Sequence, residues 1–142
     1  MAEAGASSFR LEVATPGGLA LSEEVTSMEA PSVRGEFGVL PGHRPLLAAL
    51  RAGRLRYHVG GQSRVAAVGP GFAEVEPDRV TVLTDAIAFP EGIDVDRVRQ
   101  ERAEANEKLA AYPEHYSGPD YDELERAVAW AQARLDAAGA GD

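Results

Sequence analysis

A chain of 142 residues, 44% hydrophobic and 26% charged, has room for one compact domain or a small domain with an appendage, which excludes a large multi-domain enzyme. It contains no cysteine, so disulfides, thiolate nucleophiles and cysteine-ligated metals are excluded. A net charge of −9, with Lys108 as the sole lysine, argues against the clustered cations that neutralise nucleic-acid phosphates.

Residues 1–8, rich in Ala, Gly and Ser, have no apolar stretch of the kind a secretion signal needs, and no later run is long enough to cross a bilayer. The chain is therefore expected to remain in the compartment where it is made. From Phe9 onward the pattern is that of short strands. Phe9, Leu11 and Val13 fall on one face, and Leu55, Tyr57 and Val59 alternate with Arg54, Arg56 and His58. Further strands are predicted over residues 25–30, 64–68, 72–76 and 79–84. Turn residues separate them at Pro16-Gly17-Gly18, Gly60-Gly61, Gly69-Pro70-Gly71 and Pro77-Asp78. That spacing predicts an antiparallel β-sandwich over residues 1–86.

Pro90 and Gly92 break the pattern, and residues 87–142 read as an antiparallel helical hairpin. Asp94 is placed as an N-cap, and Val95, Val98, Ala105, Leu109 and Tyr112 then recur at helical spacing, with Arg102 on the same stripe. Residues 112–119 form a loop. Asp120 with Glu123 has the form of a capping box for a second helix. Along it Tyr121, Leu124, Val128, Ala131, Leu135 and Ala138 step by 3 and 4, the seam of two helices packed side by side. Its four larger residues, if fully buried, contribute roughly 6–10 kcal/mol gross, most of it offset by the cost of ordering the chain. The hairpin is thus a plausible moving part. The halves also differ electrostatically: residues 1–86 carry ten acidic and eight basic side chains (−2), residues 87–142 thirteen and six (−7).

The stretch Gly35-Glu36-Phe37-Gly38-Val39-Leu40-Pro41-Gly42-His43-Arg44-Pro45-Leu46-Leu47 surrounds a carboxylate and an imidazole with glycine and proline. Acid/base chemistry would need Glu36 and His43 on one substrate, and no nucleophile or orienting group accompanies them. A rigid loop presenting polar side chains at a surface is the preferred reading. His43, His58 and His115 are too scattered for a metal site, and no phosphate-binding glycine motif is present. Trp130, beside Ala127 and Arg134, is read as a ring packed over its neighbours rather than a partner anchor.

The motif at 35–47, together with Val68-Gly69-Pro70-Gly71-Phe72-Ala73-Glu74-Val75 and Arg79-Val80-Thr81-Val82-Leu83-Thr84-Asp85, resembles the epsilon subunits of bacterial and chloroplast F-type ATP synthases. The order, the spacing and the switch from strands to a hairpin match from Phe9 to about Leu135. Pro70 stands where the family has a second glycine, which should alter one turn and leave the fold unchanged.

The resemblance implies a ten-stranded sandwich, bound on one side to the gamma subunit and at one end to the polar loops of the c-ring. Glu36, Phe37, Gly38, Pro41, Gly42, His43 and Arg44 would face the ring and help transmit torque. It further implies a non-catalytic rotor subunit without cofactor or metal, peripheral on the cytoplasmic side of a bacterial membrane. In this family the hairpin folds on the sandwich or extends along gamma to the alpha and beta subunits, where it blocks ATP hydrolysis. Residues 120–142, with six acidic side chains against Arg126 and Arg134, would oppose docking on acidic beta-subunit surfaces. Some members bind ATP through an Ile/Leu-Asp-x-x-Arg-Ala motif. Aligned with residues 119–124, that motif finds Asp120 in place and Glu123 where the arginine belongs, implying no tight ATP binding. A free-standing sandwich scaffold is the alternative function.

Overall fold

The computed structural model describes residues 7–141; 1–6, most of the segment read for a secretion signal, and Asp142 lie outside them. Ten strands come first: β1 (Phe9–Thr15), β2 (Gly18–Val25), β3 (Ser27–Ser32), β4 (Gly35–Val39), β5 (Leu46–Leu50), β6 (Gly53–Val59), β7 (Gln62–Val68), β8 (Gly71–Val75), β9 (Arg79–Thr84) and β10 (Ile87–Ala88). A 3-10 turn (Pro90–Gly92) leads to helices α1 (Val95–Ala110) and α2 (Pro119–Ala137). The sheet runs β10-β7-β6-β3-β5-β8-β9-β1-β2, with β4 on β3. β3 is the corner. Its start pairs with β6 and its end with β5, so the sheet folds over into two layers. All pairings are antiparallel except β1 with β9, which run parallel.

Alternation explains the core. Phe9, Leu11, Val13, Leu55, Tyr57, Val80 and Val82 point inward and are buried together with Val25, Met28, Val39 and Val75. Thr84, also buried, places its hydroxyl 2.9 Å from the Gly69 carbonyl and 3.2 Å from those of Pro70 and Ala86. It thereby ties the turn containing Pro70 to the end of β9.

Several sequence expectations need correction. The strand predicted over 25–30 straddles a break, because β2 ends at Val25 and β3 begins at Ser27. β2, β4, β5 and β10 carry no predicted strand, and residues 35–39 of the supposed rigid loop are β4. The sheet also continues past residue 86 into β10, which pairs with β7 through Ile87↔Val68 and Ala88↔Ala67.

Asp94 caps α1, its carboxylate accepting the Arg97 N–H at 3.2 Å. Asp120 does not cap α2. The helix starts one residue earlier, with Pro119 in its first turn and Gly118 before it, and no side chain supplies a cap hydrogen bond. Proline suits that position because its missing N–H is one that the helix leaves unpaired anyway. At the other end Gly139 (φ +77) reverses the chain. Its N–H donates to Asp136 O at 3.1 Å and that of Ala140 to Leu135 O at 2.8 Å, so the last carbonyls of the helix are satisfied.

Of the seam residues, Ala131 and Leu135 are buried, while Tyr121, Leu124 and Val128 are half-buried. The burial gain of the hairpin is therefore smaller than full burial of all four large residues would give. α2 lies across β6 and β7, and α1 packs on α2.

Candidate functional site

The residues singled out at 36–44 occupy two settings. Glu36, Phe37 and Gly38 sit on β4, whereas Pro41, Gly42, His43 and Arg44 lie in the connection to β5. That connection holds a tight turn: the His43 N–H donates to Leu40 O at 3.2 Å, with Pro41 and Gly42 (φ +81) between them. Proline first and a left-handed glycine second is the signature of a type II turn. The Gly42 N–H then reaches Pro77 O at 2.8 Å, and the Arg10 N–H reaches Asp78 O at 3.0 Å. The loop is thereby fastened to the β8–β9 turn, which is itself tied to the start of β1 at one end of the sandwich.

Glu36 and His43 do not form a pair. Arg56 on β6 places Nη2 3.1 Å from the Glu36 carboxylate and 3.0 Å from that of Glu29. The His43 Nδ1 is 2.7 Å from Arg44 O. Each group is thus held by a different partner. A shallow groove of about 420 Å³ beside them is lined by Ser27, Glu29, Gly38, Leu40, Arg56 and His58. Among the described residues, no group of three or more His, Cys, Asp or Glu side chains could hold a metal ion.

A second surface escaped the sequence reading. On the outer face of the second layer the register aligns Leu19↔Ala14, Ala14↔Leu83, Leu83↔Phe72 and Phe72↔Ala49. This is an apolar row across five strands. Leu19 is 62% exposed, Phe72 and Leu83 each 55%, and the nearby Leu47 70%. Exposed apolar residues in one row mark a place where another surface docks. The sequence carried the signal: Val80 and Val82 point inward, so Leu83 must point out, and Ala73 and Val75 do the same for Phe72.

The nucleotide-motif alignment also needs correction. The letters Ile-Asp-x-x-Arg are met by Ile93-Asp94-Val95-Asp96-Arg97 at the start of α1, with Val98 in place of the alanine. Beside them is a cavity of about 350 Å³, lined by Asp94, Arg97, Glu101, Trp130 and Arg134 among others. Glu101 lies 3.7 Å from the Arg97 Nε and 3.0 Å from the Arg134 Nη2, so the two arginines share one carboxylate, and Asp94 adds a second negative charge to the lining. Trp130 packs against the small cluster under α2, with the Arg134 guanidinium 5.3 Å from its ring centroid.

Fold and surfaces together define a β-sandwich protein that presents a fastened polar end, an exposed apolar row and an appended hairpin. Residues 8–90 match the family model described as the ATP synthase, Delta/Epsilon chain, beta-sandwich domain. The ATP synthase epsilon chain of Nitratidesulfovibrio vulgaris is 41% identical over 132 residues, 93% of this chain and 96% of that one. The epsilon chain of Syntrophobacter fumaroxidans is 40% identical over 133 residues, 94% of this chain and 97% of its own. The fold is shared with a chain in the cryo-EM structure of the Euglena gracilis mitochondrial ATP synthase containing OSCP, F1 and the c-ring. There the TM-score is 0.80 at 24% identity, over 97% of this chain and 85% of that one. The chain belongs to the ATP synthase epsilon chain family.

Proposed function

We propose that this epsilon chain is a non-catalytic rotor component that joins the gamma subunit to the c-ring of a proton- or sodium-driven ATP synthase. The observation that carries the proposal is the separation of two surfaces on one rigid sandwich: an exposed apolar row on a sheet face and a fastened polar loop at one end. The row, from Leu19 to Phe72, suits a lasting apolar contact with gamma. Glu36, Phe37, Gly38, Pro41, Gly42, His43 and Arg44 supply the ring contact, where proline and the Gly42–Pro77 hydrogen bond at 2.8 Å keep the loop stiff under load. The subunit then sits peripherally on the cytoplasmic side of a bacterial inner membrane; none of its described helices is long and apolar enough to cross one.

The sandwich, which includes β10, takes the constant contacts and the hairpin of α1 and α2 the regulatory role, reaching the alpha and beta subunits only if it extends. Its acidic second helix opposes docking there. Size-exclusion chromatography with native mass spectrometry, using the gamma subunit from the same genome, tests the reading. A stable one-to-one complex is expected.

No tight ATP binding is predicted. Arg97 and Arg134, the two arginines facing the cavity at α1, are already balanced by Glu101 and Asp94, so a phosphate chain gains little net attraction. Calorimetry should detect no binding at micromolar ATP, and an affinity in that range would contradict the prediction.

A further inference from the structure

Three of the four tyrosines in the chain, Tyr112, Tyr116 and Tyr121, meet at the tip of the hairpin. The fourth, Tyr57, is buried in the sandwich core. Local sequence builds the cluster. α1 ends at Ala110, and Pro113 keeps the chain from resuming it. The Tyr116 N–H donates to Pro113 O at 3.1 Å, with His115 at φ +66, so residues 113–116 close a tight turn that folds Tyr116 back on Tyr112. Among the described residues His115 is the one non-glycine with a positive φ, a conformation uncommon outside glycine. A Cβ on Gly118 would come within 2.8 Å of the Tyr116 hydroxyl, so the absent side chain leaves that ring its place. Tyr121, in the first turn of α2, completes the group.

The three ring pairs differ in geometry. Tyr112 and Tyr116 have centroids 4.7 Å apart and planes tilted by 35°, which leaves ring carbons at about van der Waals separation. Tyr112 and Tyr121 are 5.6 Å apart at 88°, so one ring aims its edge at the face of the other. Tyr116 and Tyr121 are more distant, 6.2 Å at 60°. Tyr116 is 40% exposed, and the other two rings are half-buried, so a small diffusible reagent reaches them. The chain has no cysteine to take up an oxidising equivalent first, and Met28 is buried in the core.

We infer that the hairpin tip is a site of oxidative modification, at which a diffusible one-electron oxidant such as the carbonate radical joins Tyr112 to Tyr116 as a dityrosine. Two equivalents of oxidant are reduced, each taking one electron from one phenol, whose O–H proton passes to water. The two phenoxyl radicals then form a C–C bond between ring carbons ortho to their oxygens. Each of those carbons releases its hydrogen as a proton while its oxygen regains one from water, so both phenols are restored and the chain loses two electrons and two protons in all. The bond closes the turn at 113–116 covalently, a staple for a chain that cannot form a disulfide.

The test oxidises the full chain with tris(bipyridine)ruthenium(III), generated by light and persulfate, in solution dilute enough to suppress collisions between chains. Dityrosine fluorescence and tandem mass spectrometry of proteolytic fragments read the products. The expected product is a single chain lighter by two hydrogens, with its bond between Tyr112 and Tyr116. Tyr112→Phe and Tyr116→Phe should each lower the yield at least about tenfold, and so should unfolding in urea before oxidation, because a held pair reacts faster than a diffusing one. Tyr121→Phe should leave the bond in place. Each variant removes one hydroxyl from a ring that is not buried, and circular dichroism checks that it folds. Bonds to Tyr121 in comparable yield, bonds between chains, oxidation of Trp130 in place of coupling, or a yield unchanged by urea would overturn the inference.

Discussion

Replacing Gly71 by alanine is expected to destabilise the protein by about 3 kcal/mol or more, the upper range for overpacking a tight site. Gly71 lies on β8 between Leu50 on β5 and Thr84 on β9. A Cβ added there would penetrate the carbonyl oxygen of Leu83 and come within 2.8 Å of the Thr84 Cα. Both obstacles are backbone, held in the ladder by the β8–β9 hydrogen bonds, so relief requires the strands to separate. The displaced segment also includes Thr84, whose buried hydroxyl joins the Gly69, Pro70 and Ala86 carbonyls. Gly69 is the internal control. A Cβ there meets the side chain of Asp85, which can rotate toward solvent, so Gly69→Ala should cost about 1 kcal/mol, near the average for a point substitution. Urea unfolding followed by circular dichroism measures both; equal effects would refute the steric argument.

The second large effect concerns binding. Phe72→Asp combined with Leu83→Asp is expected to weaken association with gamma by about 100-fold, as loss of a central apolar contact does. Stability should fall by no more than about 1 kcal/mol, the scale of a cross-strand pair, because both side chains are 55% exposed and no core packing is lost. The two residues are cross-strand partners, so the charges introduced repel one another and the docking surface together. Titration of the doubly substituted chain with gamma, alongside its urea midpoint, separates the two effects. Unchanged affinity would move the gamma contact off this face.

The sandwich was legible where burial alternates. β1 and β6, with one face inward, announce themselves in the sequence, as do the turns at Gly60-Gly61 and Pro77-Asp78. β2 was not legible, because among its eight residues only Val25 is buried and a bulge interrupts its register beside Val13 and Ala14. β4 contains Gly35 and Gly38 and exists because β3 pairs with it, a long-range cause that local propensity does not carry. The parallel β1–β9 pairing likewise joins distant segments.

At the candidate site, the polar loop was visible from its glycines and prolines. The ion pairs of Arg56 with Glu29 and Glu36 were not, since they depend on which strands flank β3. The capping of α2 was misread because Asp120 fits a cap pattern equally well one residue inside a helix that Pro119 can begin. Ile93-Asp94-x-x-Arg97 went unnoticed as a nucleotide motif because Asp94 already had an explanation as the cap of α1.

The central claim is that one rigid sandwich links gamma to the ring, and the most direct measurement is the binding of the full chain to gamma from its own genome by native mass spectrometry. The account predicts a one-to-one complex that survives size-exclusion chromatography and is lost with Phe72→Asp and Leu83→Asp. Two folded proteins that fail to associate at micromolar concentration would contradict it and favour a free-standing scaffold.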